Sequence, residues 1–200
     1  MRSLSLEGLF THGARHALDY LGMWTQHSRA RVVRIESTDT QVIQQCLLRL
    51  PPSIEVVSLV ADGKIDDAPW PWQIHTGSYP QADGVLYPFS LETKLSDTST
   101  PLIIGCFQNA FSYRKLLHPR HPMILLSRVR NQIIRMGYVI ENLVGIYPPD
   151  FMFWWTLSLL TGSCASSLSF RFKNQALLRL SHRYGMGRFV SSILVFRARR

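Results

Sequence analysis

Residues 31–41, RVVRIESTDTQ, turn a short apolar strand directly into a helix. Val32, Val33 and Ile35 make the strand. Thr38 or Asp39 can cap the helix, whose apolar face is Val42, Ile43, Cys46, Leu47 and Leu50. Pro51 and Pro52 stop it. A strand that feeds a helix near the front of a chain opens an α/β layer, and nucleotide-type ligands sit at such turns. The turn normally contains glycine, which lets backbone amides approach a ligand with no Cβ in the way and permits positive φ. Here no glycine occurs between Met23 and Asp62.

The rest of the chain continues the alternation. A helix precedes the first strand, with Leu9, Phe10, Ala14, Ala17, Leu18 and Leu21 at helical spacing. IEVVSLV is a second strand, rich in β-branched residues. The stretch after it is broken by Pro69, Pro71 and Pro80, with a short strand expected at WQIHTG. DGVLYPF and TPLIIGCF are further strands, with a helix and turn expected over residues 90–100. MILLSRVRNQIIRMG is an amphipathic helix closed by Gly137. YVIENLVGIYPP is a strand, ALLRLSHRYG a helix and RFVSSILVFRARR the final strand. Strands separated by helices call for a mainly parallel sheet with helices on both faces, an α/β Rossmann-like fold. The last two strands resemble a hairpin-like pair. Two hundred residues suit one domain, with a helical lead-in over 1–30 and a helical insertion over 151–185.

Residues 151–170 carry no charge and are long enough to span a bilayer. Five serines, two threonines and a glycine keep the hydropathy moderate, which favours a helix packed on the domain or lying in a membrane interface. The net charge of +9 favours nucleic acid, an anionic membrane surface or an acidic partner. The densest basic stretch is residues 171–200, where Phe172 and Tyr184 interleave with Arg171, Lys173, Arg179, Arg183 and Arg188. RNA, anionic lipid and plain solvation all suit it. Three dispersed cysteines, Cys46, Cys106 and Cys164, offer no CxxC pair for zinc. Their odd number, with no apolar leader in the first 24 residues, points to a reducing, cytoplasmic setting, with peripheral membrane contact left open.

Several of these stretches, in this order, resemble the class I SAM-dependent methyltransferases, in particular the type 11 branch. ADGVLYPFSLE is similar to the family's fourth strand, opened by an Asp that Asp83 matches. PLIIGCFQNAFSYRKLL is similar to the fifth strand and its exit, with Gly105, Phe107, Asn109, Ser112 and Arg114 on the pattern and Gln108 as an extra residue. SRVRNQIIRMGYVIENLVGIYPP and RFVSSILVFRARR resemble the helix, sixth strand and last strand. The first half departs from the family. Glu36, Ser37, Thr38 and Asp39 stand where its glycine-rich cofactor turn belongs, and Arg34 stands where it usually has an acid. The resemblance implies S-adenosyl-L-methionine as cofactor, lined by Glu36, Ser37, Thr38, Asp39, Asp62, Asp83, Tyr87 and Ser90. Asp62, just past the second strand, is a better ribose partner than Glu55 at its start, and is also an ordinary turn residue before Gly63.

Other constellations are less specific. His12 and His16 are four apart on the first helix, and His118 and His121 flank prolines. No carboxylates converge on them in sequence as a metal site needs. Trp70, Trp72, His75 and Tyr79 either stack on a planar ligand or plug a surface loop. Neither His75 nor His118 is singled out as a general base, and catalytic residues stay unassigned. Hydrolase elbows and Walker or Rossmann glycine patterns are absent. Three functions follow as expectations. One is a methyltransferase-like protein acting on a small molecule. The second is an inactive pseudo-methyltransferase that serves as scaffold or partner subunit. The third is a basic peripheral membrane or RNA-binding protein.

Overall fold

Valine and isoleucine at alternate positions put β1 (Val32–Ile35) in the middle of a sheet, parallel to β2 (Glu55–Ser58) on one side and β3 (Gly84–Pro88) on the other. The computed structural model describes residues 12–37, 39–58, 81–89, 100–110, 124–147, 155–161, 164–166, 180, 183–187 and 191–200. The other strands are β4 (Leu102–Gln108), β5 (Val139–Tyr147), β6 (Trp155–Ser158), β7 (Cys164–Ser166) and β8 (Ile193–Arg199). Their order across the sheet is β2-β1-β3-β4-β8-β5-β6-β7. β4 is parallel to β3, and β8 then enters antiparallel between β4 and β5. β6 and β7 continue antiparallel from β5. Six strands therefore point one way, while β6 and β8 point the other.

Three helices cover the two faces. On one side lie α1 (His12–Ser28) and α2 (Thr40–Leu47). Ala14, Ala17, Leu18, Leu21 and Trp24 of α1, with Val42, Ile43, Cys46 and Leu47 of α2, pack on Val33, Ile35, Leu86, Ile104 and Val195. On the other side α3 (Leu126–Arg135) sets Val129 and Ile133 against Val85, Tyr87, Ile103, Phe107, Leu194 and Phe196. β3 is buried at every position because both faces are covered. α3 ends as expected at Gly137, whose φ of +80° an L side chain rarely adopts. At Gly105, a Cβ would stand 2.7 Å from two ring atoms of Phe196 on β8.

The expected pairing of the last two strands is present: β5 and β8 run antiparallel from Val139↔Arg199 to Ile146↔Ile193, with an irregularity between Ile140 and Asn142. The helical reading of residues 151–185 is corrected at 155–158 and 164–166, which form an antiparallel hairpin on β5. An uncharged run has no period that separates helix from strand. The open edge of β5 supplies the backbone partners, and Leu157 is buried there. Leu180 and Arg183 are helical, and the Tyr184 N–H donates to the Leu180 carbonyl at 3.0 Å. The rest of that expected helix, the WQIHTG strand and residues 90–99 lie outside the described residues. Among the described residues no helix is long and apolar enough to cross a membrane, which says nothing of a β-barrel.

Candidate functional site

In a parallel sheet with helices on its faces, ligands sit at the carboxyl ends of the strands. Here that edge collects the exits of β1, β3 and β4. The Glu36 N–H donates to the Leu86 carbonyl at 2.9 Å, so the chain leaves β1 still tied to β3. Arg34 and Glu36 are two apart and share a face of the strand. Arg34 Nε lies 2.8 Å from Glu36 Oε1, both side chains being about four-fifths covered. It is a charge contact, not an aligned hydrogen bond.

Beyond Glu36 the turn satisfies itself. Ser37 Oγ accepts from the Asp39 N–H at 3.2 Å. Asp39 caps α2: its Oδ1 accepts from the N–H groups of Gln41 at 2.9 Å and Val42 at 3.2 Å. Those are the donors a helix N-terminus would offer an anionic ligand group. A side-chain carboxylate has taken them, and it places negative charge at the positive end of the helix. Of the expected cofactor residues, the structure brings together Glu36, Ser37 and Asp39.

Two others lie elsewhere. Asp83 precedes β3 and lies at the opposite edge, where its Oδ2 accepts from the N–H groups of Arg31 at 2.8 Å and Val32 at 3.0 Å. Its carboxylate ties the start of β1 to the start of β3, so it does not line the carboxyl-edge site. Tyr87 is 1% exposed and points into the α3 core, its Cβ beside the Cα of Gly105. It fills space under the sheet because β3 is buried on both faces. Thr38, Asp62 and Ser90 lie outside the described residues, as do His75, His118, His121, Trp70, Trp72 and Tyr79. Glu55 opens β2, also at the far edge, where its N–H donates to the Arg31 carbonyl.

Sequence reasoning missed one feature of the edge itself. Phe89, at the exit of β3, has φ +55°, a conformation costly for a bulky side chain. Its N–H donates to the Cys106 carbonyl at 3.0 Å, holding the exit against β4. A glycine there would have signalled the turn, and phenylalanine gives no such sign. Next to it Asn109, 1% exposed, donates through Nδ2 to the Ser191 carbonyl at 2.9 Å, so the exit of β4 is tied to the chain entering β8.

No thiol of this region is poised for nucleophilic work. Burial pushes Cys46 up to about 12, and pushes Cys106 well above the ordinary thiol value. His16 sits 3.4 Å from Asp19, which also receives Arg49 Nε at 2.7 Å. That cluster joins α1 to the end of α2, where Gly22 leaves room for the Arg49 backbone. Among the described residues no three His, Cys, Asp or Glu side chains come together as a metal site would need.

Solved structures place this arrangement. The chain is similar to a SAM-dependent methyltransferase from Archaeoglobus fulgidus, with a TM-score of 0.50 and 11% identity over 92% of this chain and 94% of that one. It is similar also to a SAM-dependent methyltransferase from Thermotoga maritima, with a TM-score of 0.50 and 8% identity over 93% and 90%. No protein-family model and no curated protein sequence matches the chain. At these identities the likeness concerns the fold: the chain has the Rossmann-like fold of class I SAM-dependent methyltransferases. The turn after β1 does not fit SAM in the usual way. It holds Cβ atoms where glycines would admit the ligand, its helix donors are used by Asp39, and Arg34, paired with Glu36, brings a cation to the exit of β1.

Proposed function

We propose that this chain is a SAM-dependent methyltransferase-like protein whose small-molecule site lies at the exits of β1, β3 and β4, with ligand binding moved off the turn after β1. The observation that carries this reading is the sheet order β2-β1-β3-β4-β8-β5 with β8 antiparallel, which keeps the ligand edge of the methyltransferase fold. The left-handed Phe89 at that edge supports it, because backbone strain of this kind concentrates at functional turns. On this reading Arg34, Glu36, Ser37 and Asp39 hold the turn's shape, while the contacts to a ligand come from the neighbouring strand exits. The partner is a small-molecule acceptor.

Calorimetry and thermal shift with SAM and S-adenosylhomocysteine at millimolar concentration test it. Heat and a raised melting temperature, kept in an Asp39→Ala variant, support binding away from the turn. Binding that disappears with Asp39→Ala overturns the relocation. No heat and no shift overturn the enzyme reading. They leave the second reading, a non-catalytic scaffold or partner subunit, which the Asp39 cap and the Arg34–Glu36 pair favour.

A further inference from the structure

Charge is divided unevenly along the chain. Residues 1–97 carry eight Lys and Arg against eleven Asp and Glu, whereas residues 98–200 carry fourteen against two. One of those two acids, Glu141, is engaged by Arg197 and Arg199 at 3.1 and 3.7 Å. The fold keeps the division in space, because residues 98–200 supply α3 and every strand from β4 to β8. Such an asymmetry between halves is an electrostatic footprint for an anionic surface.

The exposed apolar residues gather on the same side. Nine large apolar side chains are exposed among the described residues, and only Met23 and Leu48 belong to the α1–α2 side. Ile134, Val139, Leu160, Leu180, Tyr184 and Met186 are each between 50% and 71% exposed. A groove of about 490 Å³ runs beside Ile134, Val139 and Leu160, between α3 and the start of β5 and closed by the turn after β6. Leu126, Arg130 and Ile134, four apart on α3, form one wall, and Val139, Leu160 and Gly185 form the other. Its volume is in the range of ordinary ligand pockets. Arg130 is the charged residue lining it, Arg128 and Arg135 are exposed on the same helix, and Arg183 stands two residues before Gly185. No acid occurs on α3.

We propose that this face docks on an anionic membrane surface, the groove taking an acyl chain and the arginines the lipid phosphates. Charge complementarity selects an anionic partner, and the kind of apolar residue selects lipid. Single-stranded nucleic acid is held by aromatic platforms, but among the described residues Tyr184 is the one exposed aromatic of this patch, the others being aliphatic or methionine. Exposed aliphatics beside arginine are the composition of an interfacial segment, where the side chains enter the acyl boundary and the guanidinium groups stay at the headgroups. The acidic half of the sheet would be turned away from the bilayer.

The full chain is to be floated with vesicles of phosphatidylcholine alone and of equal parts phosphatidylcholine and phosphatidylserine. Binding is expected to the mixed vesicles, weakening as salt rises. The Arg130→Glu/Arg183→Glu double variant should bind on the order of tenfold more weakly or worse. A control double, Arg29→Glu/Arg31→Glu, makes the same charge change beside β1 and should lose far less. Ile134→Ser/Leu160→Ser keeps the charge and should also weaken vesicle binding. All these positions are exposed, and unfolding midpoints report whether each variant is folded. Absence of binding to mixed vesicles overturns the proposal. So does an equal loss in the two charge doubles, which would mean net charge and no site. Retention on single-stranded RNA that is lost in the Arg130→Glu/Arg183→Glu variant and kept in the Arg29→Glu/Arg31→Glu control, with no vesicle binding, assigns the face to nucleic acid. Self-association removed by that double, with no vesicle binding, assigns it to a second copy.

Discussion

The two sides of the sheet close their strands by different means. Around β1, β2 and β3, backbone donors at the ends of strands and helices are taken up by carboxylates. Asp83 accepts from Arg31 and Val32, Asp39 from Gln41 and Val42, and Asp19 holds the Arg49 side chain at the end of α2. Around β4, β8 and β5 the closure is by shape. β8 is paired from Ile193 to Arg199 with β4, and Phe196 lies over Gly105. Gly145 of β5 leaves room for Ser191, whose Oγ would stand 2.0 Å from an added Cβ. Strand and helix ends leave backbone donors open, which carboxylates take on the first side, while on the second an inserted strand pairs with and packs against both of its neighbours. The acids are thus committed to structure on one side, and the arginines of α3 remain at the surface on the other.

Breaking the shape closure should have the largest effect. Gly105→Val drives a branched side chain into the Phe196 ring, and overpacking of this kind costs about 1–3 kcal/mol or more. A lower urea midpoint is expected, with partial recovery when Phe196→Leu is added. An unchanged midpoint in the single variant would show that β8 shifts freely and that shape does not close this side of the sheet.

Removing a carboxylate clasp should cost somewhat less. Asp83→Ala leaves two backbone donors without their acceptor, an expected loss of about 2 kcal/mol in denaturant unfolding. Because Asp83 is at the far edge, the response to SAM or S-adenosylhomocysteine should not move. If ligand binding is lost while the fold is kept, the structural assignment of Asp83 fails.

Asp39→Ala removes the α2 cap at an expected cost of about 1 kcal/mol. Amide exchange should quicken at Gln41 and Val42 first. Protection unchanged at those two amides would mean the cap is not what closes the turn.

The smallest effect is a pH dependence. The His16 ring, followed by Arg49, holds the Asp19 carboxyl below its ordinary value against the opposing pull of partial burial. A depressed folded value means that the unfolded chain binds the proton more readily. The contribution is therefore full above the unfolded value, 3.8 for a free Asp, and fades as pH falls through the folded value. The stability gap between the protein and Asp19→Asn should be level at neutral pH and shrink below pH 3.8. A gap that widens with acid would reverse the sign of this linkage.

How much was legible varies with the range of the contact. The α2 cap at Asp39 and the buried face of Val42, Ile43, Cys46 and Leu47 were readable, because each depends on neighbours within a turn or two. So was the end of α3 at Gly137. The hairpin at 155–158 and 164–166 was not, because a continuous uncharged run has the same look as helix or strand until a sheet edge offers it partners. At the candidate site, the missing glycines were plain in the sequence, and so was the displaced charge at Arg34. That Asp39 turns its carboxylate back onto α2, and that Phe89 bends left-handed at the exit of β3, are matters of backbone geometry.

The sequence by itself determined that apolar strands and amphipathic helices alternate, where α2 begins and α3 ends, and that the turn after β1 contains no glycine. Those properties are local, set by side-chain spacing and by what each residue permits of its own backbone. Only the tertiary structure decided that β8 inserts between β4 and β5, that Asp83 faces the edge away from the site, and that Arg130 of α3 lines one groove with Val139 and Leu160. Backbone donors and acceptors are alike at every residue, so the partner they find, and the face a distant segment shares, is chosen by how the whole chain buries its apolar surface.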